Sequence, residues 1–289
     1  MANLRAIRTR IKSVENTRQI TKSMKMVAAA KLRKTQSAFA SLRTYADESG
    51  TLLAEASAGG GAIENPYLTV HSDCRRICYV LIVGNRGLCG TYNQSLLRYC
   101  EKLVTDSEKE SHVIVCGRWG RDLIAASGLA VRETFEVGDT PTHEEALTLA
   151  ERLKQLYREG SVDEIILVYQ HYRSVLSQVP AQTRLLPLPA QETPAAADRD
   201  VIYEPDRDSI LNTLLDMYIG NTVHAVLLEA RTGEHSARMT AMTAAADNTE
   251  ELISDLTLEL NHARQAAITT EISEIAGGAE ALRNNTAGG

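Results

Sequence analysis

Residues 242–267 read MTAAADNTEELISDLTLELNHARQAA. Within this stretch Met242, Ala245, Thr249, Leu252, Leu256, Leu260, Ala263 and Ala267 recur at steps of three or four. That spacing draws a narrow apolar stripe down one face of a helix, the seam along which one helix lies on another. Beyond it the stripe moves over one position to Ile268, Ile272 and Ile275. Upstream, Pro205-Asp206 is a helix-start signal, and no proline follows it. One helix from there to about Ala276 would reach on the order of 100 Å at about 1.5 Å per residue. Nothing that long fits inside a compact domain, so it needs a partner helix or a surrounding sleeve. Gly220 and Gly233 mark where it would instead break into shorter bundle helices, each glycine costing about 1 kcal/mol against alanine.

The obvious partner is the other end of the chain. Residues 3 to about 56 contain no proline and read as a second long helix. Leu4, Ile7, Ile11 and Val14 form its seam, which stalls over Glu15-Asn16-Thr17-Arg18. It resumes at Ile20, Met24 and Val27, then shifts to Ala28, Leu32, Phe39 and Leu42. Gly59-Gly60-Gly61 and Pro66 end it. The net charge of −6 is unevenly distributed: residues 1–36 carry ten Lys and Arg against Glu15 alone, whereas residues 208–289 carry twelve acids against four Arg. The two ends are therefore complementary in charge. An antiparallel pair whose facing positions sum to 262–265 sets Lys12 against Glu250, Arg8 against Asp255, Arg5 against Glu259 and Lys31 against Glu234. Exposed pairs contribute under about 1 kcal/mol each, so they choose register and direction rather than supply the stability. In that register Arg264 to about Leu282 runs on without a partner in its own chain, and its isoleucines call for cover from another protein.

Between the helices the texture changes. Ile77–Val83 and Val113–Cys116 are continuous apolar runs of strand length, and Glu164–Tyr169 and Gln182–Leu188 supply two more. Helical stretches around Gln94–Glu110, Arg118–Ser127 and His143–Glu159 alternate with them. Apolar strands alternating with helices indicate a sheet that is largely parallel and covered on both faces. Leu188-Pro189 through Pro194 and Ala195-Ala196-Ala197 read as the linker back to the C-terminal helix. The expected fold class is therefore α/β. A long antiparallel coiled coil of the N- and C-terminal helices (1–58 and 205–289) carries a small Rossmann-like α/β domain (74–198) inserted between them.

The chemistry that such an insert invites finds little support. After the first strand comes Gly84-Asn85-Arg86-Gly87-Leu88-Cys89-Gly90, a G-x-x-G-x-x-G loop that is neither the dinucleotide fingerprint nor a P-loop. Gly117-Arg118-Trp119-Gly120-Arg121 likewise matches no phosphate site, and a tight strand-to-helix turn explains both. His143-Glu144-Glu145 begins like a zinc-protease motif, but position 147 is Leu147. No G-x-S-x-G elbow occurs. Cys74, Cys78, Cys89, Cys100 and Cys116 are an odd number without a C-x-x-C pair, expected to be reduced and mostly buried. No metal and no cofactor is expected. The basic N-terminal helix could suggest nucleic acid, but its charges surround the helix and aromatics are nearly absent there. Aromatics are only 4% overall, which suits thin alanine-rich helix contacts better than a bulky enzyme core. No apolar run reaches the eighteen or so residues that span a bilayer, and the basic N-terminus lacks the apolar stretch of a secretory signal. A cytosolic chain is expected.

Two long motifs carry a resemblance. Ile11 to Ala28, IKSVENTRQITKSMKMVA, resembles the opening helix of the gamma subunit of rotary F-type ATP synthases, and Asn261 to Ile275, NHARQAAITTEISEI, resembles its closing helix. Arg86-Gly87-Leu88-Cys89-Gly90, Ser177-Gln178-Val179-Pro180 and Tyr203-Glu204-Pro205-Asp206 are similar to the same family, so the likeness covers essentially the whole chain. It implies a non-catalytic central rotor shaft, one copy per complex. Such a shaft turns inside a hexamer of alternating alpha and beta subunits, with its foot on a membrane c-ring, peripheral to the cytoplasmic face of a bacterial membrane. It further implies that Met24, with Lys22 and Lys25, meets an acidic loop of a beta subunit, with Arg238 beside it. Arg264, Gln265, Thr269 and Glu271 would meet alpha and beta residues higher up, and Ile268, Ile272 and Ile275 would turn in an apolar collar. Tyr203 and Glu204 would face the c-ring, and the insert would bind the epsilon subunit. Asn85 stands where an aspartate is expected and Thr91-Tyr92 where Gly-Leu is common, which bears on the epsilon contact. The cysteine-bearing regulatory insertion of thylakoid relatives is absent, so no disulfide switch is expected. The competing reading is a nucleotide-binding α/β enzyme with coiled-coil arms.

Overall fold

Helix α1 (Ala2–Ala58) opens the chain and a much longer helix, Arg207–Thr286, closes it, each without a break. They belong to a computed structural model that describes residues 2–58, 65–68, 74–119, 127–188, 204 and 206–286. Between the two lie β1 (Arg76–Ile82), α2 (Tyr92–Asp106), β2 (Glu110–Cys116), β3 (Val131–Phe135), α3 (His143–Arg158), β4 (Glu164–Ser174) and β5 (Ser177–Leu186), which makes the closing helix α4. The start of α4 is capped as its sequence implies. Asp206 accepts the Ser209 backbone N–H at 2.8 Å and the Ser209 hydroxyl at 2.8 Å. The chain divides into two compact units, one of residues 1–26 with 242–289 and one of residues 27–241.

In the first unit the two helices form an antiparallel coiled coil. Over residues 4–26 the covered side chains are Leu4, Ile7, Ile11, Val14, Arg18, Thr21 and Met24. On α4 the covered positions run Met242, Ala246, Thr249, Ile253, Leu256, Leu260, Ala263 and Ala267, with Thr243 and Ala245 beside them. α4 keeps the three-four alternation of a heptad throughout and α1 keeps it from Leu4 to Thr21, the repeat that gives a left-handed supercoil. This corrects the expected seam. Ile20 and Val27 are largely exposed and Leu252 is 42% exposed, while Arg18, Thr21 and Ile253 take their places. Helix geometry decides here: unbroken heptad spacing selects positions 18 and 21 whatever residues occupy them. The Thr21 hydroxyl is satisfied by the Arg18 carbonyl at 2.9 Å, and Arg18 reaches Glu250 at 3.8 Å. Glu250 thus pairs with Arg18 and not with Lys12, which puts this pair at a sum of 268 rather than the expected 262–265. Past Ala267 every described side chain through Ala279 is exposed.

The second unit holds the sheet, in the order β3-β2-β1-β4-β5. The first four strands are parallel and β5 returns antiparallel along β4. Alternation along β1 feeds two cores. Ile77, Tyr79, Leu81 and Val83 pack with Leu96, Leu97 and Cys100 of α2 on one face. Cys78, Val80 and Ile82 pack on the other face with Leu149, Leu153 and Leu156 of α3, Leu53 of α1, and Leu211, Leu215 and Ile219 of α4. The lower halves of both long helices are therefore part of this unit's core. All five cysteines are free and four are buried; burial pushes the Cys78, Cys100 and Cys116 thiols up to about 12.

Several expected boundaries move. β4 and β5 extend as a hairpin beyond the apolar runs Glu164–Tyr169 and Gln182–Leu188. β3, the sheet's edge, has no apolar run to betray it; its Glu133 ion-pairs with Arg152 of α3. The helix expected over Arg118–Ser127 and the linker from Pro189 lie mostly outside the described residues. The His143-Glu144-Glu145 run is a helix start: Thr142 and Glu145 form a capping box. Nor do the mid-helix glycines break α4. A Cβ on Gly220 would lie 2.9 Å from Leu147 Cδ2, and one on Gly233 would lie 3.2 Å from Tyr92 Cε2, so both serve close packing.

Candidate functional site

The densest polar chemistry in the second unit lies where the parallel strands end. In doubly wound sheets that carboxyl edge is where ligands bind. Here α4 lies across it. Every residue from Val226 to Ser236 is buried, although the run includes Glu229, Arg231, Glu234 and His235.

Glu234 organises the cluster. Its Oε1 accepts the Asn85 backbone N–H at 3.2 Å and Arg238 Nη2 at 2.6 Å; its Oε2 accepts Arg231 Nη1 at 2.8 Å. Glu234 and Arg231 are each only 1% exposed. Burial alone would push the Glu234 pKa up, but Arg231 and Arg238 outweigh it and hold the carboxyl below its ordinary value. The Arg231 guanidinium also donates to the carbonyls of Val83 at 2.9 Å, Gly138 at 3.1 Å and Val137 at 3.2 Å, and to Asn85 Oδ1 at 3.0 Å. Arg238 donates to the Arg86 carbonyl at 3.0 Å and to that of Gly87 at 3.4 Å. Asn85 Nδ2 donates to the Val137 carbonyl at 2.7 Å and to Asp139 Oδ1 at 3.2 Å, and Lys31 of α1 ion-pairs with Asp139. Lys31 therefore meets Asp139 and not Glu234, because Glu234 is already enclosed by two arginines of its own helix.

His235 completes the group. Its Nε2 lies 3.0 Å from the Asp139 carbonyl and its Nδ1 3.4 Å from Arg238 Nη1, which fits a neutral ring that donates from Nε2 and accepts at Nδ1. Burial lowers its pKa and favours that neutral form. The same edge holds α4 from the other side. The Tyr92 hydroxyl donates to the Ala230 carbonyl at 2.6 Å, Glu229 Oε1 takes the Tyr172 N–H at 2.9 Å, and Ser236 Oγ donates to the Val175 carbonyl at 2.7 Å.

The G-x-x-G-x-x-G loop is thereby explained. Gly84 N–H goes to Asn93 Oδ1 at 2.8 Å and Asn85 N–H to Glu234, so the first amides that could cradle a phosphate are already engaged. A Cβ on Gly84 would sit 2.9 Å from Glu234 Cδ; glycine is needed because a side chain of α4 presses there. Among the described residues no three His, Cys, Asp or Glu side chains converge as a metal site requires.

The residues singled out from the sequence fall in different surroundings. Lys22 and Lys25 are exposed on α1 and Met24 is half-buried at the coiled-coil seam. Arg264, Gln265, Thr269 and Glu271 are exposed on α4. Ile268, Ile272 and Ile275 become progressively barer, at 45%, 61% and 73%. Arg238 is buried and its guanidinium faces groups of its own chain. Glu204 is exposed, and Tyr203 lies outside the described residues. Sequence reasoning missed Arg231, Glu234 and Asn85 as a cluster. The available signal was charge at i, i+3 and i+7 (Arg231, Glu234, Arg238) inside a helix with no seam at that height.

Residues 3–282 match the ATP-synt family model, described as ATP synthase. The ATP synthase gamma chain of Desulfitobacterium hafniense is 41% identical over 283 residues, covering 98% of this chain and 100% of that one. That of Heliobacterium modesticaldum is 40% identical over 291 residues, with the same coverage. The chain belongs to the ATP synthase gamma-chain family. Among solved structures, a chain of the Euglena gracilis mitochondrial ATP synthase assembly of OSCP, F1 and c-ring superposes with a TM-score of 0.71 at 20% identity, covering 100% of this chain and 97% of that one. One from the central stalk and c-ring of the Tetrahymena thermophila mitochondrial ATP synthase gives 0.60 at 21% identity, covering 78% and 99%. At such identities the likeness speaks to the fold: paired terminal helices with a sheet between them.

Proposed function

We propose that this chain is the non-catalytic axle of a rotary F-type ATP synthase, peripheral to the cytoplasmic face of a bacterial membrane. It turns within a hexamer of alpha and beta subunits above a membrane c-ring, with an epsilon subunit on its α/β insert, one copy per complex. No helix among the described residues is long and apolar enough to cross a membrane, which suits a subunit whose ion path lies elsewhere. The observation that carries the reading is the end of α4. Its seam loses cover after Ala267, yet Ile268, Ile272 and Ile275 continue an apolar stripe into solvent. Such a stripe calls for a foreign apolar collar.

The residues divide by task. Met24 with Lys22 and Lys25 meets an acidic loop of a beta subunit; Arg238, assigned to the same contact, has its guanidinium engaged by Glu234 and the Arg86-Gly87 backbone. Arg264, Gln265, Thr269 and Glu271 meet alpha and beta side chains, while the three isoleucines turn in the collar. Tyr203 and Glu204 face the c-ring. Ion flow turns the ring and the ring turns the axle. Because one asymmetric coiled coil presents a different face to each of three beta subunits, each catalytic site is biased toward a different nucleotide affinity. Linkage requires the converse, so nucleotide occupancy biases the rotor angle. Contacts that slide past three equivalent partners must be shallow, which suits exposed polar side chains better than one deep pocket.

Met24→Lys tests the assignment, since it adds a cation where Lys22 and Lys25 already face the beta loop. Protons pumped per ATP hydrolysed should fall while hydrolysis continues. An unchanged ratio in membranes carrying the variant complex removes Met24 from the coupling contact.

A further inference from the structure

A nucleotide-binding sheet holds its ligand by the loop after the first strand, by backbone N–H groups aimed at an anion and by side chains from neighbouring strand ends. The first two are present here, backbone groups at the neighbouring strand ends stand in for the third, and each meets α4 instead. The Asn85 N–H reaches Glu234 Oε1, Gly84 is bare because Glu234 fills the space above it, and the loops after β1, β3 and β4 each contact residues 229–238.

We propose that residues 229–238 of α4 act as a built-in ligand of the α/β insert, with Glu234 as the positioning residue that locks the rotor's insert to its helix at one angle. The inference rests on the rotor reading and adds to it a place where torque crosses between insert and shaft. A helix lying against a sheet through apolar contacts alone can slip about its own axis at small cost, because such contacts are non-directional. Buried charge-assisted hydrogen bonds cannot slip: they are directional, and displacing the Glu234 carboxylate strands Arg231 and Arg238 away from water. Torque applied to the insert would therefore reach the helix as rotation rather than as slippage. Lys31 bonded to Asp139 ties α1 to the same cluster, so both helices are held.

The test compares Glu234→Gln and Arg231→Lys with Leu149→Ala in the assembled complex. Leu149 is fully buried in the core on the α3 face of the sheet and its apolar side chain makes none of the cluster's hydrogen bonds, so it serves as a destabilised control. Glu234→Gln keeps the shape and removes the charge that holds both arginines. Arg231→Lys keeps the charge but loses the fork that reaches Glu234 together with the Val83 and Gly138 carbonyls. Each should lower protons pumped per ATP several-fold, glutamine more than lysine, with ATP hydrolysis within about two-fold of the parent. Amide exchange over residues 84–89 should rise in the same samples. Leu149→Ala should melt earlier yet keep the pumping ratio. Ratios at the parental value in both cluster variants, or an equal loss in Leu149→Ala, would overturn the inference. If neither cluster variant assembles, a destabilised but normally coupled Asn85→Ala complex overturns it, and an uncoupled one supports it. Met24→Lys in parallel separates the two readings. Uncoupling there without uncoupling at Glu234 leaves the rotor standing and removes only the lock.

Discussion

Asp163 shows how one side chain can define an edge of the sheet. Its Oδ2 takes the backbone N–H groups of Arg75 at 3.1 Å and Arg76 at 3.0 Å, and its Oδ1 takes Arg76 Nη2 at 2.9 Å. The Arg76 hydrogen bond leads in bringing its pKa down to about 2. Unfolded, the group titrates near 3.9. Folding therefore favours the carboxylate; its stabilising contribution is complete above pH 4 or so and is lost as pH falls through about 2. It amounts to on the order of 1–2 kcal/mol at neutral pH, discounted because the Arg76 side chain is 39% exposed. Asp163→Asn should lower the unfolding free energy from denaturant titration by that much at pH 7, and the two proteins should converge near pH 2. A gap of equal size at both pH values would contradict the pairing. His235 acts in the same sense, at higher pH. Kept neutral by burial, it disfavours folding once pH drops below the ordinary histidine value near 6.5, so the polar cluster is weakest in acid.

At the scale of elements, the heptad is the strongest local signal and also the one most open to error. Leu252 and Ile253 are equally apolar, and a stripe drawn through either fits steps of three or four. The unbroken rhythm from Met242 to Ala267 puts Ile253 at the interface and leaves Leu252 outside. Leu256→Ala should therefore cost about 2–3 kcal/mol, since Leu256 is 5% exposed, and Leu252→Ala less than about 1 kcal/mol. Thermal melts of the two variants that shift equally would undo the seam. The same logic admits Arg18 to the interface over Ile20, with Glu250 as its counter-charge. Strands fared differently. β1 and β2, central and covered on both faces, are legible as apolar runs. β3 holds Arg132-Glu133-Thr134 between two apolar ends at an edge, and the outer half of the β4–β5 hairpin is polar, so neither announces itself by composition.

At the scale of the whole molecule, the nucleotide-binding edge of an α/β sheet is filled by the chain's own closing helix. The isolated chain should accordingly bind neither ATP nor NAD at micromolar concentration in calorimetry. Saturable binding at that level would revive the reading as a nucleotide enzyme. The sequence by itself determined the two long helices, the alternating strands between them and the family, because heptad spacing, apolar runs and two long terminal motifs are local in the chain. Only tertiary structure decided the register of the coiled coil and the partners of Lys31, Glu234 and Arg238. Charge complementarity between exposed groups is nearly degenerate over neighbouring registers. Which carbonyls the buried arginines meet depends on loops drawn from residues 83–87 and 137–138, some 90 to 150 positions away in the chain.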